Sequence, residues 1–101
     1  MPEVRLNLDE IPDGGGKPVP VRDGFRIAVF RVGDRVAAIS DNCPHAGGSF
    51  GEGPFDGTIA RCPLHFYPVD VWQGLGHAGK KIATYPATVE GGEVRIVVPG
   101  V

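Results

Sequence analysis

Both cysteines of this chain stand in two short stretches, Cys43-Pro44-His45 and Cys62-Pro63-Leu64-His65, which also hold two of its three histidines. Sixteen residues separate the pairs, so any group bound by all four side chains must draw two distant loops together. That demand constrains the fold more than any other feature. A chain of 101 residues matches one domain, 1–101, with a radius of gyration of about 13 Å if compact. Its hydrophobic content of 42% suffices for a small core, which a bound metal centre would reinforce.

The pairing of each cysteine with a histidine argues for metal over a disulfide. Disulfide-dependent secreted domains carry more cysteines, and residues 1–10 lack the apolar run of a signal peptide. No stretch approaches the ~20 apolar residues that span a bilayer, so the expected location is cytoplasmic. Ten basic and twelve acidic residues give a net charge of −2 without a block of like charge, which excludes nucleic acid and a membrane surface as expected partners.

Sixteen glycines and ten prolines are interleaved with Val, Ile and Phe and form no repeat, so they read as turn punctuation in a β-rich fold. Residues 4–8 alternate apolar and polar with period two, as a half-buried strand does. Residues 17–22 carry Pro18 and Pro20, which confines a strand there to a sheet edge. Residues 25–32 and 35–40 are apolar runs joined by Gly33-Asp34, the signature of a hairpin whose first turn residue has positive φ. Residues 41–57 read as loop, 58–61 as a strand leading into Cys62, 66–72 as a strand interrupted by Pro68, and 74–81 as a flexible connection. Residues 87–90 and 93–98 form a closing hairpin on Gly91-Gly92. No window carries a capped amphipathic helix, so the predicted class is all-β, with long loops where the Cys/His pairs lie.

Two thiolates and two imidazoles could hold a tetrahedral zinc. Zinc fingers, however, place two cysteines on one knuckle and two histidines on a helix, whereas each loop here supplies one of each. That mixed supply suits a binuclear cluster better, and at this point the chain resembles the Rieske 2Fe-2S family. Cys43-Pro44-His45 resembles the first cluster loop, Cys62-Pro63-Leu64-His65 the second, Thr84-Tyr85-Pro86 the third, and Asp70 with Gly74 the turn that follows the cluster. The resemblance implies stacked antiparallel sheets with a small loop-rich cluster-binding subdomain over about residues 41–86. It also implies one 2Fe-2S cluster whose metal ligands are Cys43, His45, Cys62 and His65, the cysteines on one iron and the histidines on the other.

Charge accounting explains the histidines. Two ferric ions, two sulfides, two thiolates and two neutral imidazoles sum to zero, so an electron is added more easily than to a four-cysteine cluster; Rieske potentials accordingly lie at about −150 to +300 mV. Within that range the departures of this chain point low. Quinol-oxidising members carry a disulfide between the cluster loops, at positions matching Gly48 and Leu64 here, and hydroxyl donors at positions matching Tyr67 and Val69. The bridge cannot form and the second donor is absent, so a midpoint below about 0 mV is expected. Glycine usually follows the second histidine, and this chain has Phe66 instead. Gly47 and Gly48 are expected to let backbone approach the cluster. His77 has no second ligand at metal spacing and reads as a loop histidine, Trp72 as packing, and Leu64 and Phe66 as an apolar docking patch with Pro44 and Pro86.

With His45 and His65 assigned to the cluster, the remaining His77 cannot build a 2-His-1-carboxylate oxygenase iron. The chain is therefore expected to be a monomeric single-electron carrier, not an enzyme, between a reductase and a terminal oxygenase or reductase. The resemblance implies either the ferredoxin component of an aromatic-ring dioxygenase or the small subunit of an assimilatory nitrite reductase. A structural zinc-binding interaction module is the alternative of another class.

Overall fold

The computed structural model describes residues 3–22, 24–41, 48–64 and 66–98. They form ten strands in three antiparallel sheets, linked by turns and three single-turn 3-10 helices. Strands β2 (Gly16–Arg22), β3 (Phe25–Val32), β4 (Arg35–Ser40) and β8 (Thr84–Tyr85) make a four-stranded sheet in the order β2-β3-β4-β8. Strands β1 (Glu3–Asn7), β10 (Glu93–Val97) and β9 (Ala87–Glu90) make a second sheet in that order. The third sheet runs β5 (Ile59–Arg61), β6 (Pro68–Asp70) and β7 (Leu75–Gly76).

The β3–β4 hairpin is the centre of the molecule because it is apolar on both faces. Successive residues of a strand point to opposite faces, and here Ala28, Phe30, Ala37 and Ile39 enter one core while Ile27, Val29 and Ala38 enter the other. The first core continues through Phe50, Ala60, Cys62, Val69, Val71 and Ile82, the residues around the third sheet. The second continues through Leu8, Ile11, Val94, Ile96 and Val98, against the sheet of β1, β9 and β10. That two-sided burial is why residues 27–30 read as an unbroken apolar run, as strands covered on both faces do. The chain is folded to a radius of gyration of 12.3 Å.

The turns follow the sequence chemistry. Gly33 has φ 62° and Asp34 is not in the positive region, as the β3–β4 turn requires. Gly91 and Gly92 have φ 59° and 80°, which closes β9 onto β10. Strand β2 lies at an edge, where Pro18 and Pro20 face β3 without a further neighbour.

Several boundaries differ from the sequence reading. The first strand ends at Asn7, since Leu8 opens a 3-10 turn that Glu10 caps through its carboxylate on the Asn7 amide at 2.7 Å. Pro68 begins β6 instead of interrupting a strand, a position where its missing N–H is tolerated. Residues 74–81 are not a plain connection. Leu75 and Gly76 pair with β6, a 3-10 turn covers His77–Gly79, and Gly76 N donates to Lys80 O at 2.6 Å. A two-residue strand is too short to leave a period-two signature.

Candidate metal centre

Cys62 leaves the end of β5 with its side chain fully buried and unbridged. The turn that follows it is closed by two backbone bonds. Phe66 N donates to Cys62 O at 2.8 Å, and Cys62 N donates to Tyr67 O at 2.9 Å, so residues 62–67 form one compact loop between β5 and β6. Strand β5 is itself set by Asp56, whose carboxylate accepts from Thr58 N at 2.9 Å and Ile59 N at 2.8 Å. Those two amides, Ile59's first, hold the Asp56 carboxyl below its ordinary pKa.

Phe66 occupies the place expected for glycine and adopts glycine's conformation, with φ 56°. A non-glycine residue there carries a strain of about 1–2 kcal/mol, and its ring stands 61% exposed. Leu64, on the other side of residue 65, is 57% exposed. Two large apolar side chains thus flank the second histidine position on the outer surface, and Pro86 is exposed as well.

The segment 42–47, with Cys43, Pro44, His45 and Gly47, and His65 itself lie outside the described residues. What flanks them is informative. A Cβ built on Gly48 would overlap Cys62 Sγ and lie 3.2 Å from Leu64 Cδ1. The end of the first loop is therefore packed backbone-first against the sulfur of the second. Gly53 repeats the device one step back, since a Cβ there would overlap the carbonyl oxygen of Arg61, the residue before Cys62.

The base of the first loop rests on Asp41, which sequence reasoning missed. It is fully buried and accepts from Ser49 Oγ at 2.7 Å, Gly51 N at 2.8 Å and Arg26 Nε at 3.0 Å. An aspartate two positions before a cysteine was visible, but its partners at 49 and 51 follow no recognisable motif.

The turn after the second loop is as expected. Asp70 accepts from Trp72 N at 2.9 Å and Gln73 N at 3.1 Å, and Gly74 N donates to Asp70 O at 2.8 Å with φ 72° at Gly74. Trp72 packs on the first core, donates Nε1 to Gly57 O at 2.9 Å and lies under the Arg35 guanidinium at 4.4 Å. His77 is exposed and meets only the edge of Tyr67, at 6.2 Å between centroids, among its described ring contacts. Among the described residues no group of three or more His, Cys, Asp or Glu stands ready to hold a metal ion.

The chemistry of the site fits a metal cluster. Cys62 offers a buried, unbridged thiol, and only a residue without a Cβ at position 48 lets the other segment approach its sulfur. The all-β scaffold seats Gly48, three positions after the Cys-x-His stretch, on the thiol of the Cys-x-x-His stretch. Residues 4–90 match the Rieske 2Fe-2S domain, and this chain belongs to that family. It holds one Rieske-type cluster and is an electron-transfer protein, not itself catalytic. The 3-phenylpropionate/cinnamic acid dioxygenase ferredoxin subunit of Escherichia coli (strain K12) is 38% identical over 77 residues, covering 72% of this chain and 73% of that one. The ferredoxin of carbazole 1,9a-dioxygenase from Nocardioides aromaticivorans IC177 superposes with a TM-score of 0.84 at 31% identity, covering 96% of this chain and 98% of that one. A structure described as an NADH-dependent nitrite reductase small subunit from Mycobacterium tuberculosis superposes at 0.79 over the whole of both chains, but at 22% identity it shares the fold alone. No helix among the described residues is long and apolar enough to cross a membrane.

Proposed function

We propose that this chain is the ferredoxin component of an aromatic-ring dioxygenase system, a monomer of the cytoplasm that accepts single electrons from a reductase and delivers them to a terminal oxygenase. The observation that carries this reading is the 38% identity to a dioxygenase ferredoxin subunit. In it Cys43 and Cys62 hold the inner iron and His45 and His65 the outer one. The seating of Gly48 on Cys62 Sγ supports the pairing of the two loops. The cluster, when bound, supplies the one-electron couple. Cys62 is buried in the first core, and Leu64 and Phe66 stand on the surface on either side of position 65. We read 1–101 as one domain and about 41–86 as its cluster-binding part, supported by the insertion of the β5–β7 sheet between β4 and β8.

The position matched to a hydroxyl donor, Val69, is fully buried and aliphatic, and the Tyr67 ring packs between Phe50 and His77 at 6.3 and 6.2 Å. Fewer hydroxyl donors to the cluster support a midpoint below about 0 mV. The test is anaerobic mixing of the dithionite-reduced protein with the terminal component of 3-phenylpropionate dioxygenase, or with the large subunit of a nitrite reductase. Return of the oxidised visible spectrum with the dioxygenase is expected. Transfer to the nitrite reductase alone, or a midpoint well above 0 mV, would overturn the reading.

A further inference from the structure

A fully buried carboxylate is costly unless charge and hydrogen bonds compensate it. Asp41 therefore needs a reason to be where it is. Three donors from two separate segments converge on it: Arg26 Nε from β3 at 3.0 Å, and Ser49 Oγ and Gly51 N from beyond the first loop at 2.7 and 2.8 Å. Its backbone is tied in the same way, with Asp41 N donating to Arg26 O at 3.3 Å and Asp41 O accepting from Phe50 N at 3.1 Å. Residue 41 thus clasps β3 and both ends of the segment 42–48. Asp41 stands two positions before Cys43 in the chain. The counter-charge is lopsided. The Arg26 side chain is 45% exposed and the Asp41 side chain 0%, so the negative charge sits in the interior and the positive one is shared with water.

We propose that Asp41 is a positioning residue that closes the first cluster loop and, with Arg26 as its partly solvated counter-charge, keeps a net negative potential beside the cluster that holds its midpoint down. Interior charges are weakly screened. Reduction adds one electron to the cluster and therefore one negative charge, which a nearby fixed carboxylate disfavours. The inference rests on Cys43 being a cluster ligand.

Protein-film voltammetry at pH 8 on Asp41→Asn and Arg26→Gln tests it. Asparagine keeps the shape and an acceptor for Gly51 N while removing the charge, so the midpoint should rise. Arg26→Gln removes only the compensating cation, so the midpoint should fall. Opposite signs are the signature, because a clasp that mattered only for shape would move both variants in one direction or neither. Equal or absent shifts overturn the proposal. Should Asp41→Asn fail to retain a cluster, Arg26→Gln decides alone: a fall supports the proposal, and no change or a rise overturns it. The two readings separate cleanly, since a wrong assignment of Cys43 would appear as a normal visible spectrum in Cys43→Ser, whatever the two midpoints do.

Discussion

Replacing Gly48 by alanine should leave a folded protein that no longer retains its iron and sulfide. Gly48 does not have positive φ, so alanine is acceptable to its backbone, and the whole effect comes from the atom added. That atom would overlap Cys62 Sγ and sit 3.2 and 3.3 Å from Leu64 Cδ1 and Cγ. Leu64 is 57% exposed and can swing away, but Cys62 is fully buried among Ala60, Val69 and Phe50 and has nowhere to retreat. Either the first loop lifts off the second or the sulfur turns away, and both separate ligands that must meet on one cluster. Supporting changes around metal ligands weaken binding by about 10–100-fold, and a direct collision with the ligand atom belongs at the upper end. Gly48 is in neither core cluster, so the far-ultraviolet circular dichroism should match that of the wild-type protein. Iron and sulfide analysis after desalting reads the result; stoichiometric iron with an unchanged visible spectrum would show that the loops do not close on each other as described.

Gly53→Ala acts on stability. Gly53 is extended, with φ −93° and ψ 175°, so alanine again meets no conformational penalty. Its Cβ would overlap Arg61 O and stand 3.1 Å from Pro63 Cδ. Neither neighbour is a flexible side-chain tip. Arg61 is paired with Pro68 in β5–β6, and its amide donates to Pro54 O at 2.9 Å, so the strand that delivers Cys62 must shift to make room. Overpacking of this kind costs typically 1–3 kcal/mol and occasionally more, and backbone on backbone places Gly53→Ala near 3 kcal/mol. Against a typical stability of about 5–15 kcal/mol that is a large fraction. Urea unfolding of the cluster-loaded protein measures it. A midpoint within error of wild type would mean that β5 and residues 50–54 are not in register as described.

Much of this was legible in the chain itself. The β3–β4 and β9–β10 hairpins announced themselves because glycine at Gly33 and at Gly91-Gly92 supplies the positive φ those turns need. The family was legible from four residues and their spacing, because few chemistries ask each of two loops for one cysteine and one histidine. What stayed hidden depends on contacts across the fold. Gly48 is expected from the sequence to let backbone approach the cluster, but its seat on Cys62 Sγ, and that of Gly53 against Arg61, is not written there: Gly14 and Gly24 look alike in the sequence, and an added Cβ on them meets nothing within 4 Å. Asp41 looked like a loop polar residue, and its burial follows from Arg26, which is fifteen positions away. Phe66 shows the limit in the other direction. The sequence shows only that Phe66 stands where glycine is usual, and its φ of 56° falls in the region glycine favours. There the turn closed by Phe66 N on Cys62 O overrides the preference of the side chain.

The ligand set is the centre of this account, and electron spin echo spectroscopy of the dithionite-reduced protein tests it most directly. Protein produced with nitrogen-15-labelled histidine should show two histidine nitrogens coupled to the reduced cluster at ligand strength, and His65→Ala should remove that pattern. A reduced protein with no ligand-strength histidine coupling would contradict the assignment of His45 and His65, and with it the Rieske centre described for Cys43-Pro44-His45 and Cys62-Pro63-Leu64-His65.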